Sequence, residues 1–292
     1  MHYDPIKKSL GTVFNKTPWL RILFYKLLDL LLLRSWHVRK EILSWAEPTL
    51  RKRDDGQSPA RVQESTDPVA SKLLARYILD AGSGFGQYTW FLSGLNPHWF
   101  IDAVDVKEEQ VADCNNFFTR RNRRNVLFEV GDLTRFLKID HFDLILSVDV
   151  MEHIEEDEVV FRNFYDSLTQ EGMLLISTPS DQGGSDVHDH DTEDSFIGEH
   201  VRDGYNIMDI REKLRKAGFT RTEARYTYGI PGQIAWKWTM KYPIQLLNLS
   251  KIFFLILPFY YLLVFPIACI LNLADTRIQH KTGTGLIVKA WK

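Results

Sequence analysis

The sequence predicts an α/β fold built on a seven-stranded, mostly parallel sheet whose last strand runs antiparallel. Three observations carry that prediction. Short apolar runs alternate with helix-like segments as far as Ser177, each run closing on an acid, a glycine or a small polar residue. The first of them, Tyr77-Ile78-Leu79-Asp80, enters the glycine-rich turn Ala81-Gly82-Ser83-Gly84-Phe85-Gly86. A late run, Gly285 to Trp291, is β-prone and follows the turn Gly283-Thr284-Gly285. Alternating strand and helix signals imply a parallel sheet covered by helices on both faces.

The turn after the first strand is the most informative stretch. Glycine at alternate positions lets the backbone take positive φ and approach a ligand closely, and the amides of the next helix then face what the turn holds. A dinucleotide site has the spacing Gly-x-Gly-x-x-Gly. Here the third glycine comes one residue early, at Gly86, and Gln87 holds its place. The second strand, Trp99 to Val104, ends at Asp105. That acid stands about 20 residues beyond the glycines, where a βαβ unit offers a carboxylate to ribose hydroxyls. The third strand, Val126 to Val130, leads into Gly131-Asp132-Leu133. The fourth, Phe142 to Val148, leads into Asp149-Val150-Met151-Glu152-His153-Ile154, and the fifth, Met173 to Ser177, closes on Thr178-Pro179. The polar stretch from Pro179 to Gly204 has no periodicity, and a loop that long is unusual unless functional. A helix over Ile207 to Ala217 is stopped by Gly218, and Phe219 to Tyr228 alternates as a sixth strand.

Asp80-x-Gly82-x-Gly84-x-Gly86 resembles the first motif of class I S-adenosylmethionine (SAM) methyltransferases, a Rossmann-like family. The segment Asp149 to Ile154 is similar to the Glu-His motif of the ubiquinone-biosynthesis type of O-methyltransferase (methyltransferase types 11 and 12). The resemblance covers roughly residues 70–228 and the last strand. It implies SAM as cofactor, with Asp80, Gly82, Ser83, Gly84 and Gly86 around its methionine part. Asp105 and Val106 would serve the ribose, Asp132 and Leu133 the adenine, and Ser147 and Asp149 the edge of the fourth strand. It is specific for the cofactor and not for the methyl acceptor.

SAM brings an activated methyl group, so the protein needs mainly to align a nucleophile and, for a hydroxyl, to remove its proton. His153 is the first candidate base, with a role in bracing its helix as the alternative. Glu152 beside it is read as a substrate contact. The long loop holds His188 and His190 among carboxylates, a set that suits a polar lid over the substrate. Its spacing is too unspecific to assign a metal, although a divalent cation is a possible addition. The segment Glu199 to Tyr205 resembles one in related bacterial methyltransferases. His200 is taken as a second catalytic candidate, and Arg202 and Tyr205 as groups that orient a polar or anionic headgroup. Arg202 pairing with Asp203 is the alternative.

Composition bounds the setting. The 292 residues are 25% charged and 45% hydrophobic, ordinary for a globular chain. The net charge of −2 hides an asymmetry: residues 1–53 hold eleven Lys/Arg against four Asp/Glu, so this arm is about +7 and the remainder about −9. Its basic residues are interleaved with leucines and aromatics, which favours an anionic membrane surface over nucleic acid. The cluster Arg120 to Arg124 reads as a solvated helix end. Two cysteines exclude a disulfide framework and fit a reducing compartment. The N-terminal stretch lacks a secretory pattern, since Lys26 and Asp29 interrupt its apolar run.

The second distinctive feature is late. From Ile252 to Ala274 there is no charged residue, and aromatics and lysines flank the run. It meets the length and hydropathy of a membrane span. A single crossing would separate the sixth and seventh strands, so a re-entrant or monotopic insertion of two short helices is expected, broken at Pro258 and Pro266. The resulting division is a basic amphipathic interface arm at 1–50, a linker or lid at 51–68, a SAM-binding domain at 69–230, a hydrophobic insertion at 231–282 and the last strand at 283–292. The functional expectation is a SAM-dependent methyltransferase on the cytoplasmic side of a membrane, acting on a hydroxyl or amine of a lipid-like or lipid-linked acceptor. The alternatives are a soluble small-molecule methyltransferase whose apolar segment is a dimer interface, a single-pass protein, or a SAM-binding scaffold without catalysis.

Overall fold

The structure, a computed structural model, describes residues 18–51, 75–183 and 201–292. Strands β1 (Arg76–Ala81), β2 (Trp99–Asp105), β3 (Val126–Val130), β4 (Phe142–Val148), β5 (Leu168–Pro179), β6 (Arg221–Thr227) and β7 (Gly285–Trp291) form one sheet in the order β3-β2-β1-β4-β5-β7-β6. The first five pair in parallel, and β7 runs antiparallel between β5 and β6. This is the predicted architecture. β5 is longer than expected, because its residues Met173 to Pro179 pair along the whole of β7 and Leu168 pairs with Phe142.

Both faces are covered. On one side α5 (Asp157–Ser167) and α6 (Ile207–Ala217) pack Val160, Phe161, Phe164, Ile210 and Leu214 against Leu79, Ile145, Leu174 and Val288. Asn206 caps α6 by accepting from the Met208 amide at 2.8 Å, and Gly218 at φ 117° stops it, so the helix has its predicted bounds. On the other side α3 (Gln87–Leu95) shares its face with α2 (Leu33–Arg51), which follows α1 (Pro18–Leu31). α4 (Glu108–Arg120) completes this layer beside β2 and β3.

The N-terminal helices differ from the expected arm at 1–50. Val38, Ile42 and Ala46 of α2 are fully buried against Ile78, Trp99 and Leu144, so α2 is a core helix of the domain. Its apolar residues recur at four-residue spacing and fill the sheet face that α3 leaves open. α1 is anchored by buried Arg21 and Tyr25 but exposes Trp19, Leu23, Leu27 and Leu30. Most of the expected linker at 51–68 lies outside the described residues.

Between β6 and β7 the chain forms a helical hairpin. The outgoing arm is α7 (Ile230–Trp236), a π turn at Lys237–Lys241 and α8 (Tyr242–Leu249); the return is α9 (Leu257–Arg277). The π turn leaves main-chain carbonyls short of partners. Tyr260 and Tyr261 of α9 supply them, donating to the Trp238 and Thr239 carbonyls at 2.7 and 2.6 Å. The expected breaks need correction. Pro258 sits in the first turn of α9, where a missing N–H costs nothing, and α9 continues through Pro266. The arms are therefore longer than two short helices. Among the described residues α9 alone is long and apolar enough to cross a membrane, and little of it is buried in the protein.

Candidate active site

The site forms at the C-terminal edge of the parallel strands. β1 stops because the Gly82 and Ser83 amides both turn to the Val104 carbonyl of β2, at 2.8 and 3.0 Å. Gly82, Gly84 and Gly86 all have positive φ, as the spacing predicted. A Cβ at Gly82 would lie 2.2 Å from Val150, so this glycine lets the turn close against the segment after β4. A Cβ at Gly84 would meet nothing within 4 Å, which leaves open space over the turn. Asp105 closes the cradle: its carboxylate accepts from the Gly84 amide at 2.8 Å and the Lys107 amide at 2.9 Å. Ser83 Oγ is buried beside this space without a partner, as is Ser147 Oγ at the end of β4.

Asp80 is buried beneath the turn and accepts from the Thr89 hydroxyl. Burial, with Asp105 nearby, raises its carboxyl to about 6. An acid so desolvated gains from a cationic neighbour. A glycine cradle open above Gly84, an unpaired serine hydroxyl and two carboxylates together fit the methionine and ribose ends of SAM. Asp132 at the end of β3 spends Oδ1 on the Thr134 amide and hydroxyl, at 2.9 and 2.8 Å, while Leu133 is buried and Val106 is exposed at the rim.

The acceptor side departs from expectation in two places. Arg202 and Tyr205 do not face a substrate space. The Tyr205 hydroxyl is buried and bonds Asp157 at 2.6 Å, and Arg202 reaches the same carboxylate at 2.8 Å and the Met151 carbonyl at 2.9 Å. With Lys213 also on Asp157 at 2.8 Å, they form a closed network that ties the segment after β4 to α5 and α6. Desolvating phenol and guanidinium together is tolerable only because every member is paired. Their shared partner, the Asp157 carboxylate at the start of α5, was not singled out in the sequence. His188, His190 and His200 lie outside the described residues. Among the described residues no three His, Cys, Asp or Glu side chains are grouped to hold a metal ion.

His153 and Glu152 stand in the one-turn helix after β4, at the expected edge. His153 is exposed to solvent. Glu152 is buried and accepts from the Thr178 hydroxyl at the end of β5 at 3.1 Å. Burial pushes its carboxyl up, partly offset by His153, Thr178 and Arg34.

Sequence reasoning missed a group contributed by the N-terminal helices. α1 lies across the glycine turn: Arg21 Nη2 donates to the Phe85 carbonyl at 3.0 Å, Tyr25 donates to the same oxygen, and Gln87 reaches Asp29 at 2.8 Å. At the head of α2, Arg34 forms an ion pair with Asp149, and its amide donates to the Tyr228 hydroxyl at 2.9 Å. Asp149 (φ 50°) and Tyr228 (φ 55°) are both non-glycine residues in the left-handed region, at the ends of β4 and β6. Arg34 is the first charge after four successive leucines, a hint visible in the sequence.

The comparisons agree with this geometry. Residues 79–174 match the family model of a methyltransferase domain, from the middle of β1 into β5. A malonyl-[acyl-carrier protein] O-methyltransferase of Bacillus anthracis is 32% identical over 111 residues, 38% of this chain and 40% of that protein. A ubiquinone biosynthesis O-methyltransferase of Glaesserella parasuis is 23% identical over 127 residues, 41% of this chain and 52% of that protein. Among solved structures, phosphoethanolamine N-methyltransferase 2 of Haemonchus contortus in complex with SAM superposes with a TM-score of 0.53. It is 18% identical, over 75% of this chain and 49% of that one. The chain thus spans about half or less of the length of these relatives. Residues 79–174 thus match a methyltransferase domain, and the chain has the fold of class I SAM-dependent methyltransferases.

Proposed function

We propose that the protein transfers the methyl group of SAM to a hydroxyl or amine of a lipid-like or lipid-linked acceptor, taken from the cytoplasmic face of a membrane on which the hairpin docks. Bound SAM supplies a methyl group on a sulfonium. The glycine turn, Asp80 and Asp105 hold the cofactor, and α1 shields the turn from water. His153 receives the acceptor's proton, and Glu152 holds the edge of β5 in place through Thr178.

One observation carries the membrane part. The hairpin leaves the sheet at Thr227 and returns at Gly285, residues that pair with each other at the same edge as the glycine turn. Its far end exposes Leu249, Phe254, Leu255, Phe259, Leu262 and Leu263, the first of these at 78%. Exposed apolar side chains in such number mark a contact surface, and α1, whose end meets the base of the hairpin, also exposes Trp19, Leu23 and Leu27. A relative named for malonyl-acyl-carrier protein supports an acceptor joined to a larger carrier, and one named for phosphoethanolamine supports an amine that bears a phosphate.

Co-sedimentation with anionic vesicles tests the docking. The triple variant Leu249→Asp, Phe254→Asp, Leu255→Asp is expected to stay in the supernatant while binding S-adenosylhomocysteine normally. Incubation of the full chain with methyl-labelled SAM and membranes should place label in the organic phase. Label confined to the aqueous phase would remove the lipid acceptor, and vesicle binding by the triple variant would remove the hairpin.

A further inference from the structure

A cavity of about 180 Å³ lies between the α1–α2 junction and the base of the hairpin, lined by Leu31, Leu33, Arg34, Tyr228, Trp236 and Asn272 among others. It is apolar along the leucines and Trp236 and polar at Arg34. We propose that this cavity receives the headgroup end of an acidic amphiphile, a phosphate or carboxylate joined to an apolar chain, and that Arg34 recognises the anion. The proposal rests on the membrane-acceptor reading and names the substrate class of that site.

The guanidinium is under-used by the protein alone. It has five N–H donors in a planar fork. The ion pair with Asp149 and a contact with the Tyr88 hydroxyl take some of them, yet Arg34 Nε is buried with no acceptor. A buried N–H on a cation left unmet is costly, and an anionic oxygen is the partner a guanidinium meets best. The side chain keeps 29% of its surface exposed, so an incoming group can reach it. Asp149, which pairs with the guanidinium, and Tyr228, which accepts from the Arg34 amide, are both in the left-handed region. Backbone in such regions persists where its surroundings over-determine it, as they do around ligand sites.

The remaining walls agree. Asn272, 5% exposed, puts a side-chain amide in this wall, within the uncharged run from Ile252 to Ala274. A side-chain amide lining the cavity offers N–H donors to a headgroup oxygen. The cavity is smaller than the roughly 300–1,000 Å³ of a pocket that encloses a whole ligand. It fits a headgroup and its first carbons, while the rest of the chain lies along the exposed apolar face of the hairpin.

The test is direct binding to the full chain saturated with S-adenosylhomocysteine, read by calorimetry. The probes are three amphiphiles with the same oleoyl chain: lysophosphatidic acid, oleic acid and uncharged monooleoylglycerol, each below its aggregation concentration. At least one acid should bind about tenfold or more tighter than the glycerol ester, the scale of one charge-assisted hydrogen bond. The order of the two acids tells phosphate from carboxylate. Arg34→Gln should abolish the preference and Arg34→Lys keep part of it, each variant being read at its own saturating concentration of S-adenosylhomocysteine. Equal affinity of the wild type for all three would overturn the assignment without any variant, as would a preference that survives in Arg34→Gln. Vesicle binding without acid preference sinks Arg34 alone; loss of both vesicle and amphiphile binding sinks the membrane reading with it.

Discussion

His37 Nε2 lies 2.8 Å from Asp275 Oδ1, and through this pair the core helix α2 holds the base of the hairpin. Both side chains are buried. The His37 ring is neutral in this setting: Nε2–H donates to Asp275, while Nδ1 accepts from Arg225 at 3.2 Å. Asp275 also takes the Tyr228 and Gly232 amides, at 3.1 and 3.0 Å, so one carboxylate fixes both ends of the β6–α7 corner.

Acid should loosen this anchor. Burial, with Arg225 and Lys40 nearby, lowers the pKa of His37 below its ordinary 6.5 despite the attraction of Asp275. The unfolded chain then binds the proton more readily than the folded one. The contribution is complete above 6.5 and is lost as pH falls from 6.5 toward the folded value. Protonation would also set an Nδ1–H against the Arg225 guanidinium. The thermal midpoint should therefore drop as pH falls below 6.5, and His37→Gln should flatten that part of the profile. Asp275→Ala, which strands two amides and removes the carboxylate shared by His37 and His280, should cost about 3–5 kcal/mol in denaturant unfolding. A loss under about 1 kcal/mol would mean that the hairpin is held elsewhere.

The glycine turn separates folding from binding. Gly82→Ala drives a Cβ into Val150 at 2.2 Å with φ at +77°, so stability and cofactor affinity should fall together. Gly84→Ala meets no atom within 4 Å and carries only the strain of φ +52°. It should cost roughly 1–2 kcal/mol in stability. Its loss of S-adenosylhomocysteine affinity should be larger than that strain explains, about tenfold or more by calorimetry. Unchanged affinity in Gly84→Ala would mean that the cofactor does not pass over this residue.

Asp80 predicts a pH dependence of binding. Its carboxyl is raised to about 6 by burial, with Asp105 nearby, and a cationic ligand group beside it would pull that value down. Affinity for SAM should be full well above 6 and decline as pH falls through 6, because the proton then competes with the ligand's charge. Asp80→Asn should bind more weakly and without that dependence. A flat profile in the wild type would place the cofactor's amino group away from Asp80.

What could be read from the sequence, and what could not, divides along physical lines. The strands and the turn were legible because their signals are local: an apolar run, an acid, then glycines that only positive φ requires. α6 was legible to the residue, with Gly218 marking its end; the cap at Asn206 is a finding of the structure. The role of α2 was not. Its burial depends on a sheet face left uncovered by α3, which no window of sequence contains. The same holds for Arg202 and Tyr205, whose partner Asp157 stands more than forty residues away and turns a promising polar pair into a brace. Arg34 entered the site only because α1 folds over Phe85 and sets the head of α2 against Asp149.

The proton-transfer step singles out His153. It is exposed at the sheet edge where an acceptor must arrive, whereas Glu152 beside it is buried and bonded to Thr178. A positioned general base contributes about 10²–10⁴-fold to such a step. His153→Ala should therefore lower turnover on a hydroxyl acceptor by that order, with affinity for S-adenosylhomocysteine and thermal midpoint unchanged. Turnover in the variant should recover as pH rises, since hydroxide replaces the missing base. Glu152→Gln keeps the bond to Thr178 and should leave turnover within about tenfold of wild type. The reverse result, a collapse in Glu152→Gln and near-normal turnover in His153→Ala, would assign the proton to the buried carboxylate, whose raised pKa already suits that task.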